Sequence, residues 1–258
     1  NIKHFNKKFD YRIIGMGGST LGAQAIYDFL KKKITEFNDL SKFIQEGIKT
    51  IKELLQSNWS LYALYTTESF NIDAKKEVLI SEIDLKRISF LSTPNKALAV
   101  FKIPKSFPAS NNGLILALDA IRDPGNLGTI IRLCDWFGIK DLVCSKETVD
   151  CFNPKVIQAT MGSITRVNIS YVDLVAFLKE SDMPIYGAFM EGETVYTKNL
   201  SEKGILVMGN EANGVSKEVE ALINEKVAIP RFGDLQAAES LNVATATAIL
   251  LSEFRRSF

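Results

Sequence analysis

A chain of 258 residues with 46% apolar and 24% charged residues has the make-up of a globular protein, long enough for one large or two modest α/β domains. No apolar run approaches the ~20 residues that span a bilayer, and no apolar segment precedes Asp10, so neither a membrane span nor a secretory signal is expected. The net charge of +1 hides an asymmetry: residues 1–110 carry 17 Lys and Arg against 11 Asp and Glu, and residues 111–258 carry 14 against 19, which points the first part mildly toward an anionic partner such as nucleic acid.

In chain order, the first feature is "IIGMGGSTLGAQAIYDFL" at 13–30, which reads as strand, glycine-rich turn and helix, an arrangement that holds phosphate on backbone N–H groups. Residues 1–38 are taken as an N-terminal extension. His4 is the only histidine, so triads and metal sites built on histidine are excluded by inventory. A domain over 39–104 follows. In "KFIQEGIKTIKELLQSN", Phe43, Ile44, Ile48, Ile51, Leu54 and Leu55 form a helical stripe, and the strand-like "LYALYTT" comes next. With "VLISEIDLKRISF" and "NKALAVFKI" behind it, the region alternates helix and strand as a small α/β layer. The prolines, serines and asparagines of "KIPKSFPASNNG" mark a linker, placed at 105–112.

The domain over 113–258 opens with "LILALDAI", a continuous apolar run of the kind found where a parallel sheet is covered on both faces. A helix closed by Gly138 and the strand "DLVCS" follow. Further strands are expected at 166–170, 185–189, 205–208 and 226–229, and helices at 155–162, 172–180, 217–223 and 241–254. That pattern predicts a doubly wound α/β domain, with ligands beyond the carboxyl ends of its strands. Cys134, Cys144 and Cys151 contain no C-x-x-C pair and read as buried thiols in a reducing cytoplasm.

Three strand-end segments concentrate polar groups and glycines: "DPGNLGTIIRLCDWFG", with Asn126 and Arg132; "VMGNEANGVSKE", with Glu211 and with Ser216 as a helix cap; and "AIPRFGDLQAAESLNVATATAILLSEFRR". Each alone is compatible with an ordinary turn and helix. Together, "NLGTIIR", "GNEANG" and "IP…SLNVA", in that order, resemble the three motifs of the SpoU (TrmH-type) RNA ribose 2′-O-methyltransferases of the SPOUT superfamily.

The resemblance implies an α/β catalytic domain with a deep trefoil knot, an exception to the rule against threaded loops, preceded by a smaller RNA-binding domain of the ribosomal-protein L30e type. It implies S-adenosylmethionine as methyl donor, no metal, an rRNA or tRNA substrate, and a cytoplasmic homodimer with composite sites. The family's cofactor contacts fall on Met208, Gly209, Asn210, Ile229, Pro230, Leu241 and Asn242. Its catalytic and substrate-positioning residues fall on Asn126, Arg132, Glu211, Ser240 and Asn242. Arg132 is the implied proton acceptor, although an arginine in water stays protonated throughout the ordinary pH range. The alternative is that Arg132 binds the RNA phosphate and stabilises developing alkoxide charge. Asn126, Ser240 and Asn242 would position the ribose and loops, and Glu211 would orient Arg132 or Asn126. The loop "RFGDLQAAE" departs from the family pattern in its greater length and in Arg231, where an apolar methionine is common.

Two other readings remain. Residues 11–33 resemble the phosphosugar loop of glucose-6-phosphate isomerases, with Gly17, Gly18, Ser19 and Thr20 on the sugar phosphate, but that chemistry needs a downstream histidine that this chain does not have. A catalytically silent RNA-binding member of the SPOUT fold is the second alternative.

Overall fold

The computed structural model describes residues 42–89, 91, 93–110, 112–233 and 240–256. The glycine loop at 13–30, His4 and the rest of 1–38, and Gln236 to Ala238 lie outside the described residues. The chain divides into two compact units between Lys105 and Ser106, with Phe152–Gln158 grouped with the first.

The first unit contains β1 (Lys42–Glu46), α1 (Ile48–Leu55), β2 (Leu61–Thr66), β3 (Glu77–Leu79), α2 (Glu82–Ile88) and β4 (Ala97–Lys102). Its sheet runs β1-β4-β2-β3, with β4 antiparallel to β1 and β2, and β3 parallel to β2. The single helix expected across 42–58 is corrected here. Residues 42–46 form a strand, with Phe43 and Gln45 buried alternately against β4, and the helix begins only after Gly47, whose φ of 100° most side chains avoid. The apolar stripe therefore mixed two periods. Ile51 and Leu54 belong to α1, whereas Phe43 stacks on Phe101 of β4 at 5.6 Å between ring centroids. Helix α2 starts where the Ser81 hydroxyl accepts the Asp84 N–H at 3.1 Å.

The second unit contains β5 (Leu114–Leu118), α3 (Pro124–Trp136), β6 (Asp141–Ser145), β7 (Asn168–Val172), α5 (Leu174–Lys179), β8 (Ile185–Thr194), β9 (Gly204–Met208), α6 (Lys217–Glu220), β10 (Glu225–Ala228) and α7 (Val243–Arg255); α4 (Pro154–Thr160) follows β6 in the chain, and its residues up to Gln158 group with the first unit. The expected alternation is present, with α6 shorter and β8 longer than anticipated. All strand pairs are parallel, in the order β10-β8-β9-β5-β6-β7. Every residue of β5, β6 and β9 is buried, and the unbroken apolar runs of β5 and β9 reflect cover on both faces. Each large side chain so buried contributes about 1.5–3 kcal/mol.

Strand order determines where a site can form. From β5 the chain moves outward through β6 and β7, whereas β9, on the other side of β5, leads outward to the edge strand β10. The connections leaving β5 and β9 therefore diverge, and the crevice between them is the topological switch point.

Helix α3 begins with Pro124, and the Asp123 carboxylate accepts the Asn126 N–H at 2.7 Å. It closes at Gly138 with φ 67°, as the sequence predicts, and Arg255 of α7 donates to the carbonyls of Phe137 (3.0 Å) and Gly138 (3.4 Å) at its negative pole. The three cysteines are free and buried, and burial pushes the Cys134 and Cys144 thiols well up, which disfavours the reactive thiolate. Among the described residues no helix is long and apolar enough to cross a membrane.

Candidate active site at the β5–β9 crevice

The carboxyl ends of β5 and β9 are level: Leu118 pairs with Met208, and the Asp119 N–H donates to the Met208 carbonyl at 2.9 Å. The loops that leave these two ends, together with the start of α7, carry the site.

From β9 the chain enters a closed turn. Asn210 and Gly214 exchange two backbone hydrogen bonds, at 2.8 and 2.9 Å, and Gly214 takes φ 69° to allow it. The Asn210 side-chain oxygen accepts the N–H groups of Ala212 (2.9 Å) and Asn213 (3.2 Å), which leaves Glu211 exposed near the tip. Gly209 has no room for a side chain, since a Cβ there would lie 2.3 Å from both Gly214 C and Val215 N. Ser216 stands at the N-terminus of α6, where it was expected to act as a cap, but its side chain makes no capping bond.

Three side chains from distant segments meet at the mouth of the crevice. Asn242 caps α7: its Oδ1 accepts the N–H groups of Ala244 (3.0 Å) and Thr245 (3.2 Å), and this fixes which end of the amide is nitrogen. Asn242 Nδ2 then donates to Asn126 Oδ1 at 2.9 Å, and Asn126 Nδ2 donates to Glu211 Oε1 at 2.9 Å. The chain has one polarity, from the positive end of α7 through two amides to a carboxylate. A primary amide has two donors and two lone pairs, so this network leaves Asn126 one N–H and one lone pair for a ligand. Asn242→Ala is expected to lower stability by about 1 kcal/mol and to release Asn126, measurable as a drop in the midpoint of chemical unfolding together with lost activity.

Beside this network lies a cavity of about 670 Å³, within the range of small-molecule sites. Met208, Gly209, Asn210, Glu211, Ile229, Pro230, Ser240 and Leu241 all line it. Asn242 is not among the lining residues; its amide serves the α7 cap and Asn126. Glu211 accepts a hydrogen bond from Asn126, and among the described residues no bond joins it to Arg132. Arg132 is placed apart: six residues beyond Asn126 on α3, it sits about 9 Å further along the axis and roughly 120° around it. It is exposed, and among the described residues it makes no hydrogen bond or ion pair.

Sequence reasoning missed Ala188, Phe189 and Met190, which also line the cavity. The pairing of β8 with β10 jumps from Gly187↔Lys226 to Glu193↔Val227, so the intervening residues leave the ladder and turn toward the crevice. Gly187 and Gly192, inside an otherwise strand-like run, were the available signal. Among the described residues no group of three or more His, Cys, Asp and Glu side chains is arranged to hold a metal ion.

Comparison with known proteins identifies the family and the fold. Residues 113–252 match the model of the SpoU rRNA Methylase family. The chain is 32% identical over 237 residues to the 23S rRNA (guanosine(2553)-2′-O)-methyltransferase RlmP of Bacillus subtilis, covering 87% of this chain and 92% of that protein. A solved structure from Porphyromonas gingivalis, described as a TrmH-family RNA methyltransferase, is 39% identical with a TM-score of 0.76 and covers 84% of this chain and 90% of its own. An AdoMet-bound rRNA methyltransferase from Sinorhizobium meliloti is 26% identical with a TM-score of 0.75, covering 92% and 93%. The sequence motifs, the parallel sheet and these matches place the chain in the SpoU rRNA methylase family.

Proposed function

We propose that this protein transfers a methyl group from S-adenosylmethionine to a ribose 2′-hydroxyl of rRNA or tRNA. The observation that carries the reading is the Asn242–Asn126–Glu211 chain, drawn from all three family motifs and set at the lip of a cavity at the switch point. The name of the B. subtilis relative supports 2′-O-methylation of rRNA, and that of the S. meliloti structure supports AdoMet as the methyl donor to rRNA.

The cavity suits the cofactor. Met208, Val215, Val227 and Leu250 offer apolar surface for an adenosine ring, and the bare backbone at Gly209 allows close approach. Met208, Gly209, Ile229 and Leu241 would hold it. When bound, the sulfonium supplies an electrophilic methyl group with its own leaving group, so the protein's contribution is placement and charge. Asn126, its amide locked at both ends, uses its remaining N–H and lone pair to orient the ribose. Arg132 meets the RNA phosphate and stabilises negative charge as the hydroxyl proton leaves.

Arg132 lies with Gly125, Thr129 and Trp136 on one exposed stripe of α3, at 83% exposure for Trp136. An apolar side chain that exposed, beside an arginine turned away from its own Asn126, supports a homodimer in which each copy lends Arg132 to the other's site. The family also carries two structural expectations, a trefoil knot in the second unit and an L30e-type RNA-binding fold in the first. An RNA substrate and buried free thiols suit the cytoplasm. The isomerase reading rests on residues outside the described part of the chain.

Calorimetry with S-adenosylmethionine, followed by methyl transfer to total rRNA and tRNA with mapping of the modified ribose, tests the reading. Binding and a single mapped 2′-O-methyl are expected. Binding without transfer to either RNA indicates the silent RNA-binding alternative, and absence of binding overturns both.

A further inference from the structure

The residues that bond to one another across the crevice include two whose roles the methyl-transfer chemistry does not explain. The Asp119 side chain is a carboxylate in a residue only 6% exposed, directly after β5, and its Oδ2 accepts the Ser216 N–H at 2.7 Å. The Asn210 side chain is engaged within the protein: its Oδ1 holds the 210–214 turn, and its Nδ2 donates to the Ala120 carbonyl at 2.6 Å. One bond joins the start of the Glu211 loop to the end of β5 and the other joins its finish, with Glu211 between them.

The receiving segment is itself constrained. Ala120 adopts φ 57°, a left-handed conformation that costs a non-glycine residue about 1–2 kcal/mol and persists only where its surroundings over-determine it. Here its N–H donates to Ser145 Oγ at 3.0 Å, its carbonyl receives Asn210, and its neighbour Asp119 is bonded through both backbone N–H and side chain. Three residues later Asp123 caps α3 and sets Asn126. The 119–123 turn thus fixes both partners of the Asn126–Glu211 bond.

We infer that Asp119 and the side chain of Asn210 are positioning residues, a two-point staple that holds the Glu211 loop in register with Asn126. The inference rests on the methyl-transfer reading for its kinetic consequence. Loosening the staple leaves the strand ends at Met208 and Ile229, on the cavity wall, in place but lets Glu211 drift from Asn126, and misplacements of about 1 Å cost on the order of 100-fold in rate. The effect belongs in kcat more than in cofactor affinity.

A double-mutant cycle on the full chain separates positioning from bulk stability. Asp119→Ala is expected to lower kcat by about 10-fold or more, with the RNA KM and the S-adenosylmethionine Kd within about threefold of wild type. Asp119→Asn, which keeps an acceptor oxygen for Ser216, recovers most of the loss. In a Glu211→Gln background the same Asp119→Ala change costs less than about twofold, because the bond it protects is already weakened. Equal losses in both backgrounds, or a loss confined to cofactor Kd, overturn the staple. Asn210→Asp removes the donor to Ala120 while keeping the turn's acceptor, and serves the same cycle if Asp119→Ala does not fold. Hydrogen exchange gives a readout independent of activity. Faster exchange of amides 210–216 in Asp119→Ala or Asn210→Asp supports the staple, and unchanged exchange in both refutes it even if the wild-type chain proves inactive and the methyl-transfer reading falls.

Discussion

Replacing Gly209 with alanine is expected to abolish methyl transfer and to weaken S-adenosylmethionine binding by at least tenfold, about 1.4 kcal/mol. The added Cβ would stand 2.3 Å from Gly214 C and Val215 N and 2.7 Å from the Gly214 oxygen. All three are backbone atoms, so no side chain can swing aside and the loop itself has to move by about 1 Å to reach ordinary contact. Such overpacking costs about 1–3 kcal/mol, and each backbone bond lost in the Asn210–Gly214 pair adds about 1 kcal/mol. Glu211 lies inside that pair, so the displacement reaches its bond to Asn126 as well. Gly214→Ala is the control. Nothing lies within 4 Å of its Cβ, and only the φ of 69° opposes it, at about 1–2 kcal/mol. Calorimetry on both variants distinguishes lack of space from backbone strain. An unchanged Kd in Gly209→Ala would mean that the close backbone approach at Gly209 does not shape the cofactor site.

Mixing two inactive variants is expected to restore activity. Arg132→Ala should lose methyl transfer by about 100-fold or more, in the range seen when one stabilising donor is removed, while still binding S-adenosylmethionine. Glu211→Gln should also be impaired, because its side chain no longer presents a carboxylate to Asn126. Where each site combines Asn126 and Glu211 of one copy with Arg132 of the other, a mixed dimer has one site built from two intact halves and one carrying both defects. Random exchange makes half of all dimers mixed, so about a quarter of wild-type activity returns. No restoration after exchange, verified by differently tagged chains, places Arg132 in its own chain's site. A near-normal single-turnover rate in Arg132→Ala removes it from the chemistry altogether.

These experiments mark the boundary between local and long-range information. Continuous apolar runs such as Leu114–Leu118 and Gly204–Met208 announced buried parallel strands, because a strand covered on both faces has no polar side to alternate with. Gly138 as a helix stop and the Asn242 position at a helix start were readable for the same reason, since caps depend on the few residues around them. The order of the three motifs pointed to the family, and the absence of a second histidine removed the competing chemistry.

Periodicity failed where two elements were joined without a change in composition. Phe43 and Ile44 fit the stripe of α1 as well as they fit a strand, and only pairing with β4 and the unusual φ at Gly47 separates them. The turn of residues 188–190 toward the cavity was hidden similarly, since a shift in register between β8 and β10 belongs to neither strand alone.

The sequence by itself determined which segments are strands buried on both faces, where most helices start and stop, and which polar residues stand at strand ends, because each depends on burial and capping within a few residues. Only the tertiary structure decided their partners. Asn126 meets Glu211 across 85 residues and Asn242 across 116, Arg132 faces away from both, and Asn210 bonds to Ala120. Those pairings follow from β9 lying beside β5 and from the direction in which each loop leaves the sheet, and strand order is a property of how the whole chain packs.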